Sequence, residues 1–191
     1  MTDTICVAGS NTLDEEAISL IKVSLDSLVD AAEVFPAIIK TDLYACIFHV
    51  FTSILGTASC QNEVCPGALP ILKRFVTGVA RNAGDDAAVM NQTRACLNRF
   101  LDILANAQKR ETQASLACVK NTLLASTVLL SSAVSILPPA DPLTNQLLNE
   151  IVDCLEDRMT AKVACNCVRS LLLLPSNPTV QQLTALSLIH I

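Results

Sequence analysis

The sequence predicts an all-α protein, an α-solenoid of HEAT- or armadillo-like helical pairs, and three observations carry that expectation. Apolar residues recur at helical spacing in segment after segment of the 191-residue chain. The segments are separated by short polar or proline-bearing breaks, and no stretch alternates strongly in the manner of a strand. Hydrophobic residues make up 51% of the chain but aromatics only 3%, a balance that suits helix-on-helix packing better than a β-sandwich. An irregular helical bundle is the alternative architecture.

In chain order, residues 1–11 show no period and read as a loose tail, and the solenoid segment spans 12–185. Thr12 followed by Glu15 is a capping-box pattern. Ile18, Ile21, Leu25, Leu28 and Val29 then make one apolar stripe that ends near Phe35-Pro36. From Asp42 to Gly56 the pattern is apolar over most of a helix circumference. Leu43, Cys46, Ile47, Val50 and Ile54 form one face, and Tyr44, Phe48, Phe51 and Leu55 a second. Only Asp42, His49, Thr52 and Ser53 are left as a polar stripe, so this helix is expected to be enclosed by neighbours on two or three sides. Thr41 or Asp42 caps its start and Gly56 stops it.

Thr57 to Cys65 reads as a connector. Pro66 or Gly67 then opens a helix with apolar positions Leu69, Leu72, Val76 and Val79, which places Pro70 near the first turn, where proline is tolerated. Asn82-Ala83-Gly84 is a turn, and Asp85 or Asp86 caps the helix carrying Met90, Cys96, Leu97, Phe100, Leu101 and Leu104, which finishes at Lys109-Arg110. Glu111 to Leu137 is a long helix with a small-residue, apolar interior. The run Pro138-Pro139-Ala140-Asp141-Pro142 is the strongest break in the chain. Helices are expected from Leu143 to about Met159 and from Thr160 to about Leu174, and after Pro175-Ser176-Asn177-Pro178 a last segment begins at Thr179. Helical pairs starting near Asp14 and Asp42, Pro66 and Asp86, and Leu143 and Thr160 each span roughly 40 residues, the length of a HEAT or armadillo unit.

The net charge of -5 argues against a dedicated nucleic-acid binder, which would show a basic face. Nine cysteines are scattered along the chain, at positions 6, 46, 60, 65, 96, 118, 154, 165 and 167. Most lie at apolar helix positions, where a free thiol behaves as a small hydrophobe. Their odd number, with an N-terminus that lacks a basic start and a signal core, favours a reducing compartment and a cytoplasmic protein. The sequon Asn91-Gln92-Thr93 is then a chance match within a helix. Thr122 to Leu137 carries no charge, but its 16 residues fall short of the ~20 that span a bilayer. A buried helix is expected there, a membrane segment being the alternative.

No catalytic constellation stands out, so a non-enzymatic protein without cofactor or metal is expected. Cys165-x-Cys167 looks like a metal motif, yet residues two apart on a helix point to nearly opposite faces. Cys60 and Cys65 lie in or beside a connector, with no further ligand close in sequence. Cys46 and His49 fall three apart on one helix, but a nucleophile–base pair needs an orienting group and an oxyanion hole as well. Lys73, Arg74 and Arg81 form a small basic edge. It would suit a phospholipid headgroup or an acidic peptide, but pairing with Asp85 and Asp86, or plain solvation, is the simpler expectation.

Residues 42–76, DLYACIFHVFTSILGTASCQNEVCPGALPILKRFV, resemble a segment of the very large HEAT-repeat proteins that accompany clathrin adaptors, fungal members most of all. The resemblance rests on Asp42-Leu43, Ala45-Cys46-Ile47, His49, Phe51, Ile54-Leu55-Gly56-Thr57, Cys60-Gln61, Ala68-Leu69-Pro70-Ile71 and Lys73-Arg74-Phe75. It implies a scaffold segment without catalytic residues, working through protein contacts with the first adaptor complex at the trans-Golgi network and endosomes, and meeting membranes only through its partners. Another HEAT scaffold, such as a nuclear transport receptor, is the alternative. The last six residues, Leu186 to Ile191, match what a common transposase mosaic-end sequencing adaptor encodes in one frame. They are expected to be non-native, and His190 with them is set aside from functional reasoning.

Overall fold

The computed structural model describes residues 15–35, 37, 42–83, 86–108, 112–133, 136–138 and 141–173. Among them are seven α-helices and no strand: α1 (Glu15–Val34), α2 (Asp42–Gly56), α3 (Val64–Ala83), α4 (Ala87–Gln108), α5 (Gln113–Ala133), α6 (Pro142–Asp153) and α7 (Ala161–Leu172). A single turn of 3₁₀ helix, Ala58–Cys60, lies between α2 and α3.

The packing order defines the architecture. Helix α1 packs on α3, α3 on α5, and α5 on α7; separately, α2 packs on α4 and α4 on α6. Each helix therefore leans on the second helix along, and the odd- and even-numbered helices form two layers. This is the arrangement of an α-solenoid, in which successive hairpins stack and share one continuous core. That core runs through Leu25, Ile47, Leu72, Phe100, Leu123, Leu148 and Leu171, one from each helix, all at most 1% exposed. Stacking rather than propensity stabilises such helices, because each hairpin alone would leave an apolar face in water.

The hairpin frame differs from the one the sequence suggested. Helix α4 packs most extensively on α5, whereas α3 and α4 touch only slightly. The hairpins are thus α2–α3, α4–α5 and α6–α7, with α1 extending the odd-numbered layer. They begin at residues 42, 87 and 142, a spacing that exceeds the TPR period of about 34 and lies nearer the roughly 40–47 of HEAT and armadillo units. The pairing of Pro66 with Asp86 placed the break after the wrong helix. Helices α3 and α4 thus belong to successive hairpins rather than to one.

Local chemistry sets the ends. Asp86 Oδ1 accepts from the backbone N–H of Ala88 at 2.9 Å and more weakly from Val89 at 3.4 Å, so Asp86 caps α4. Asp141 caps α6 by accepting from Leu143 N–H at 3.1 Å, with Pro142 in the first helical position. Helix α3 begins at Val64, earlier than its proline and glycine suggest, because Val64 and Cys65 are themselves core residues. Pro66 thereby occupies the first turn, and Pro70 lies inside the helix on its exposed side. Helix α5 ends at Ala133, and Ile136 and Leu137 enter the core from a turn. Helix α6 stops at Asp153 rather than near Met159, since Asp157 Oδ1 accepts from Met159 N–H at 2.9 Å and Thr160 Oγ1 donates to the Cys154 carbonyl at 2.9 Å. Those contacts build a turn where periodicity alone implied more helix. The tail 1–11, Thr12, Thr41, Lys109-Arg110, the Pro175–Pro178 break and the segments beyond it lie outside the described residues.

By length and composition Gln113–Ser132 of α5 is apolar enough to cross a membrane, yet half of that stretch is buried inside the protein. Leu123, Ala125 and Leu129 are wholly enclosed, with α3, α4 and α7 packed against the helix. The apolar run from Thr122 onward thus has its partners within the fold.

Candidate functional site

The residues singled out in the sequence fall into two groups, those consumed by packing and those left on the surface. Six of the eight described cysteines are buried, and all eight are free. Burial pushes the thiols of Cys60, Cys65, Cys96, Cys118, Cys154 and Cys167 up from their ordinary value, the opposite of what a thiolate nucleophile needs. Cys46, expected on an apolar face, is exposed. It shares the outer stripe of α2 with His49, whose backbone carbonyl accepts from the Thr52 hydroxyl at 3.0 Å. Cys165 is exposed and Cys167 buried, so the CxC pair is split between two faces. Among the described residues no group of three His, Cys, Asp or Glu side chains is placed to hold a metal ion.

On the basic edge of α3, the expected pairing with Asp85 lies outside the described residues. Arg74 instead reaches α1, where its guanidinium meets Asp26 at 3.0 Å, Asp30 at 2.5 Å and Glu33 at 2.9 Å. The contact with Glu33 has ion-pair distance without hydrogen-bond alignment, since Arg74 Nε has no hydrogen-bond partner. The three acids occupy one stripe of α1 at helical spacing. This cluster clips α1 to α3 at the surface, where such pairs contribute little individually.

Gln61 sits in the connector after α2 and is 2% exposed. Its amide nitrogen donates to the carbonyls of Leu55 at 2.7 Å and Thr57 at 2.9 Å. Asn121 of α5 in turn donates to the Gln61 backbone carbonyl at 2.8 Å and to its side-chain oxygen at 3.0 Å. Cys118 Sγ donates to Leu55 O at 3.1 Å. The carbonyls left open at the end of α2 are thus satisfied from the connector and from α5. Tyr44 and Thr93, both buried, join α2 to α4 at 2.9 Å. Because the Thr93 hydroxyl donates to Val89 O, Tyr44 is the donor of that pair. Burial raises its phenol well above the ordinary tyrosine value. Thr93 is wholly buried, which leaves the sequon at Asn91 inside a packed helix.

A groove of about 890 Å³ lies where the end of α4 and the start of α5 meet the turn between α6 and α7. Its apolar lining comes from Ala107, Leu116, Val119, Cys154 and Met159, and its acidic lining from Glu150, Asp153 and Asp157. Apart from Cys154, one of the nine cysteines, none of these had been singled out in the sequence. Their signal was an electrostatic irregularity: Glu150 and Asp153 occupy the last turn of α6, which carries no base, whereas the helix dipole favours cations there. A smaller groove of about 180 Å³ between α2 and α4 is lined by Phe48, His49, Gln92 and Arg99 among others.

With the geometry in place, the chain can be set beside known proteins. A family model described as LAA1-like, C-terminal TPR repeats matches residues 140–191, the stretch that contains α6 and α7. No curated protein and no solved structure matches. The layered packing and this match define the class of the molecule: it is an all-α helical-repeat protein of solenoid architecture.

Proposed function

We propose that this chain is a segment of a non-enzymatic scaffold that acts through protein–protein contacts, as an accessory to a clathrin adaptor complex in traffic between the trans-Golgi network and endosomes. The observation that carries the scaffold reading is the packing of every helix on the second one along. This produces a ladder of similar units, a form suited to extended protein contact and not to enclosing a substrate. Helical-repeat scaffolds are typically without catalytic activity, and the buried thiols and dispersed polar groups agree with that.

The adaptor role is supported by two separate stretches. Residues 42–76 resemble HEAT-repeat proteins that accompany clathrin adaptors, and residues 140–191 match the LAA1-like repeat family. A cytoplasmic location, peripheral to those membranes through its partners, follows from the same reading. Affinity capture of the native protein from cells, compared with capture of an unrelated HEAT scaffold, tests it. Enrichment of subunits of the first adaptor complex is the expected result; recovery of nuclear-transport cargo with no adaptor subunit would overturn it.

A further inference from the structure

We infer that the outer face of the odd-numbered layer, a shallow trough along α5 rimmed by α3 and α7, is a docking site for an acidic amphipathic helix of a partner protein. The inference rests on the scaffold reading and names the chemistry of one partner. Charge is segregated between the layers. In a chain of net charge -5, helices α3, α5 and α7 carry Lys73, Arg74, Arg81, Lys120, Lys162 and Arg169 and not one aspartate or glutamate. Arg74 is taken up by α1, and Arg81, seven positions on, falls on that same side of α3. Among the described residues Lys73, Lys120, Lys162 and Arg169 form no ion pair. The stretches outside the described residues leave this sign in place. Residues 134–140 and 174–191 carry no Asp, Glu, Lys or Arg, and Asp85 and Glu111 stand 12 and 9 positions from Lys73 and Lys120. Glu63, Glu156 and Asp157 belong to the turns that lead into α3 and α7, at one end of the trough.

Exposure defines the trough. The outer stripe of α3, Pro66, Pro70, Lys73 and Thr77, is exposed, and so are Lys162, Asn166 and Arg169 on α7. Lys73 stands about 100° round the helix from Arg74, which turns it away from α1. The corresponding stripe of α5, with Ala117, Lys120, Val128 and Ser131, is half-buried, and Leu124 in its middle is 37% exposed, because α3 and α7 both pack against this helix. The apolar side chains at mid-length, Leu124 and Val128, thus form a floor between polar crests. A helix edge reaches such a floor, whereas a flat bilayer would rest on the crests. No aromatic side chain is exposed on α3, α5 or α7 to stack on a nucleobase. The contact inside the chain supplies the pattern of recognition. Helix α1 sets Asp26, Asp30 and Glu33 at helical spacing around Arg74. A helix with carboxylates on both flanks of an apolar stripe would meet Lys73 on one rim, and Lys162 and Arg169 on the other, in the same way.

The probe is a fluorescein-labelled amphipathic peptide of leucine and glutamate, with a counterpart carrying lysine in place of glutamate. Fluorescence anisotropy on the full chain is expected to show binding of the glutamate peptide only, weakened by added salt. The double variant K73Q/K162Q is expected to weaken binding at least tenfold, while K22Q/R99Q, which removes the same charge from α1 and α4, leaves it unchanged. A zero-length carbodiimide, which joins carboxylates to amines, locates the site on the wild-type chain, with links expected at Lys73, Lys120 and Lys162. Equal binding of both peptides, no effect of K73Q/K162Q, or links confined to other lysines would each overturn the inference. So would sedimentation with phosphatidylserine vesicles in the absence of peptide binding, which would make the face a lipid surface. Adaptor capture by the native protein tests the scaffold reading separately, so the two failures are distinguishable.

Discussion

Gln61 is the residue whose role is hardest to see in a sequence and plainest in the structure. It lies in a connector, where polar residues are ordinarily solvated, yet it is buried and serves two carbonyls at the end of α2 while Asn121 serves it. Removing its side chain takes one hydrogen bond each from the Leu55 carbonyl, the Thr57 carbonyl and the Asn121 amide, which keep Cys118 Sγ, Cys60 N–H and the Gln61 backbone carbonyl as their other partners, and each such bond contributes about 0.5–1.5 kcal/mol. Gln61→Ala is therefore expected to lower unfolding stability by about 2–3 kcal/mol in urea, whereas Ala at neighbouring Asn62, which is exposed, should change it by less than about 0.5 kcal/mol. Equal effects at the two positions would refute the role assigned to Gln61. The connector had been recognised from its polar run, but which of its polar residues turns inward depends on α5, some 60 positions away.

The thiols give a second residue-scale expectation. Cys46 and Cys165 are exposed, and six others are buried with their ionisation pushed up. In the folded chain a disulfide reagent should label Cys46 and Cys165 well before those six, which should react only on unfolding. The sign of the pH dependence follows from the same shifts. A thiol whose folded value exceeds its unfolded value of 9.0 contributes stability in full below pH 9, and that contribution is lost as pH rises through the folded value, because only the unfolded chain ionises. Stability against urea should therefore fall from pH 8 to pH 10. A flat or rising profile would contradict the burial of these cysteines.

At the scale of elements, periodicity located every described helix, because apolar stripes persist over three to six turns. Boundaries were less legible. The start of α3 was drawn too late since proline marked an obvious opening, while the burial of Val64 and Cys65 had no local signature. The end of α6 was drawn too late since a turn held by Asp157 and Thr160 interrupts no apolar pattern. Asp86 and Asp141, by contrast, were visible as caps or breaks because capping chemistry is local. Helix α5 buries the small and hydroxyl residues Thr122, Ala125 and Ser126, and α3, α4 and α7 all pack against it. Leu129→Ala in this helix removes a wholly buried side chain and is expected to cost about 2–5 kcal/mol; a loss below about 1 kcal/mol would show that α5 is not the enclosed helix described.

For the molecule as a whole, the all-α class and repeat style were legible in composition and breaks, but the hairpin frame was not. Sequence neighbours at a tight turn look like partners, and only the contacts show that α4 belongs with α5. The acidic groove was likewise hidden, as its residues come from two hairpins and carry no motif. What the layered architecture does require is coupling between helices two apart, and one pair reports it. Arg94 of α4 donates from Nε to Asp141 Oδ2 at 2.8 Å, while Asp141, its side chain only 1% exposed, caps α6 with its other oxygen.

A double-mutant cycle on Arg94 and Asp141 tests the central claim most directly. Asp141→Ala alone should cost about 2–4 kcal/mol, from the lost cap and the lost pair together. The cycle separates the two, because Arg94→Ala removes the pair and leaves the cap. The stacked two-layer structure predicts a coupling of about 1–3 kcal/mol between the two sites. Additive effects, within about 0.5 kcal/mol, would mean that α4 and α6 are not neighbours in one layer, and would contradict the solenoid.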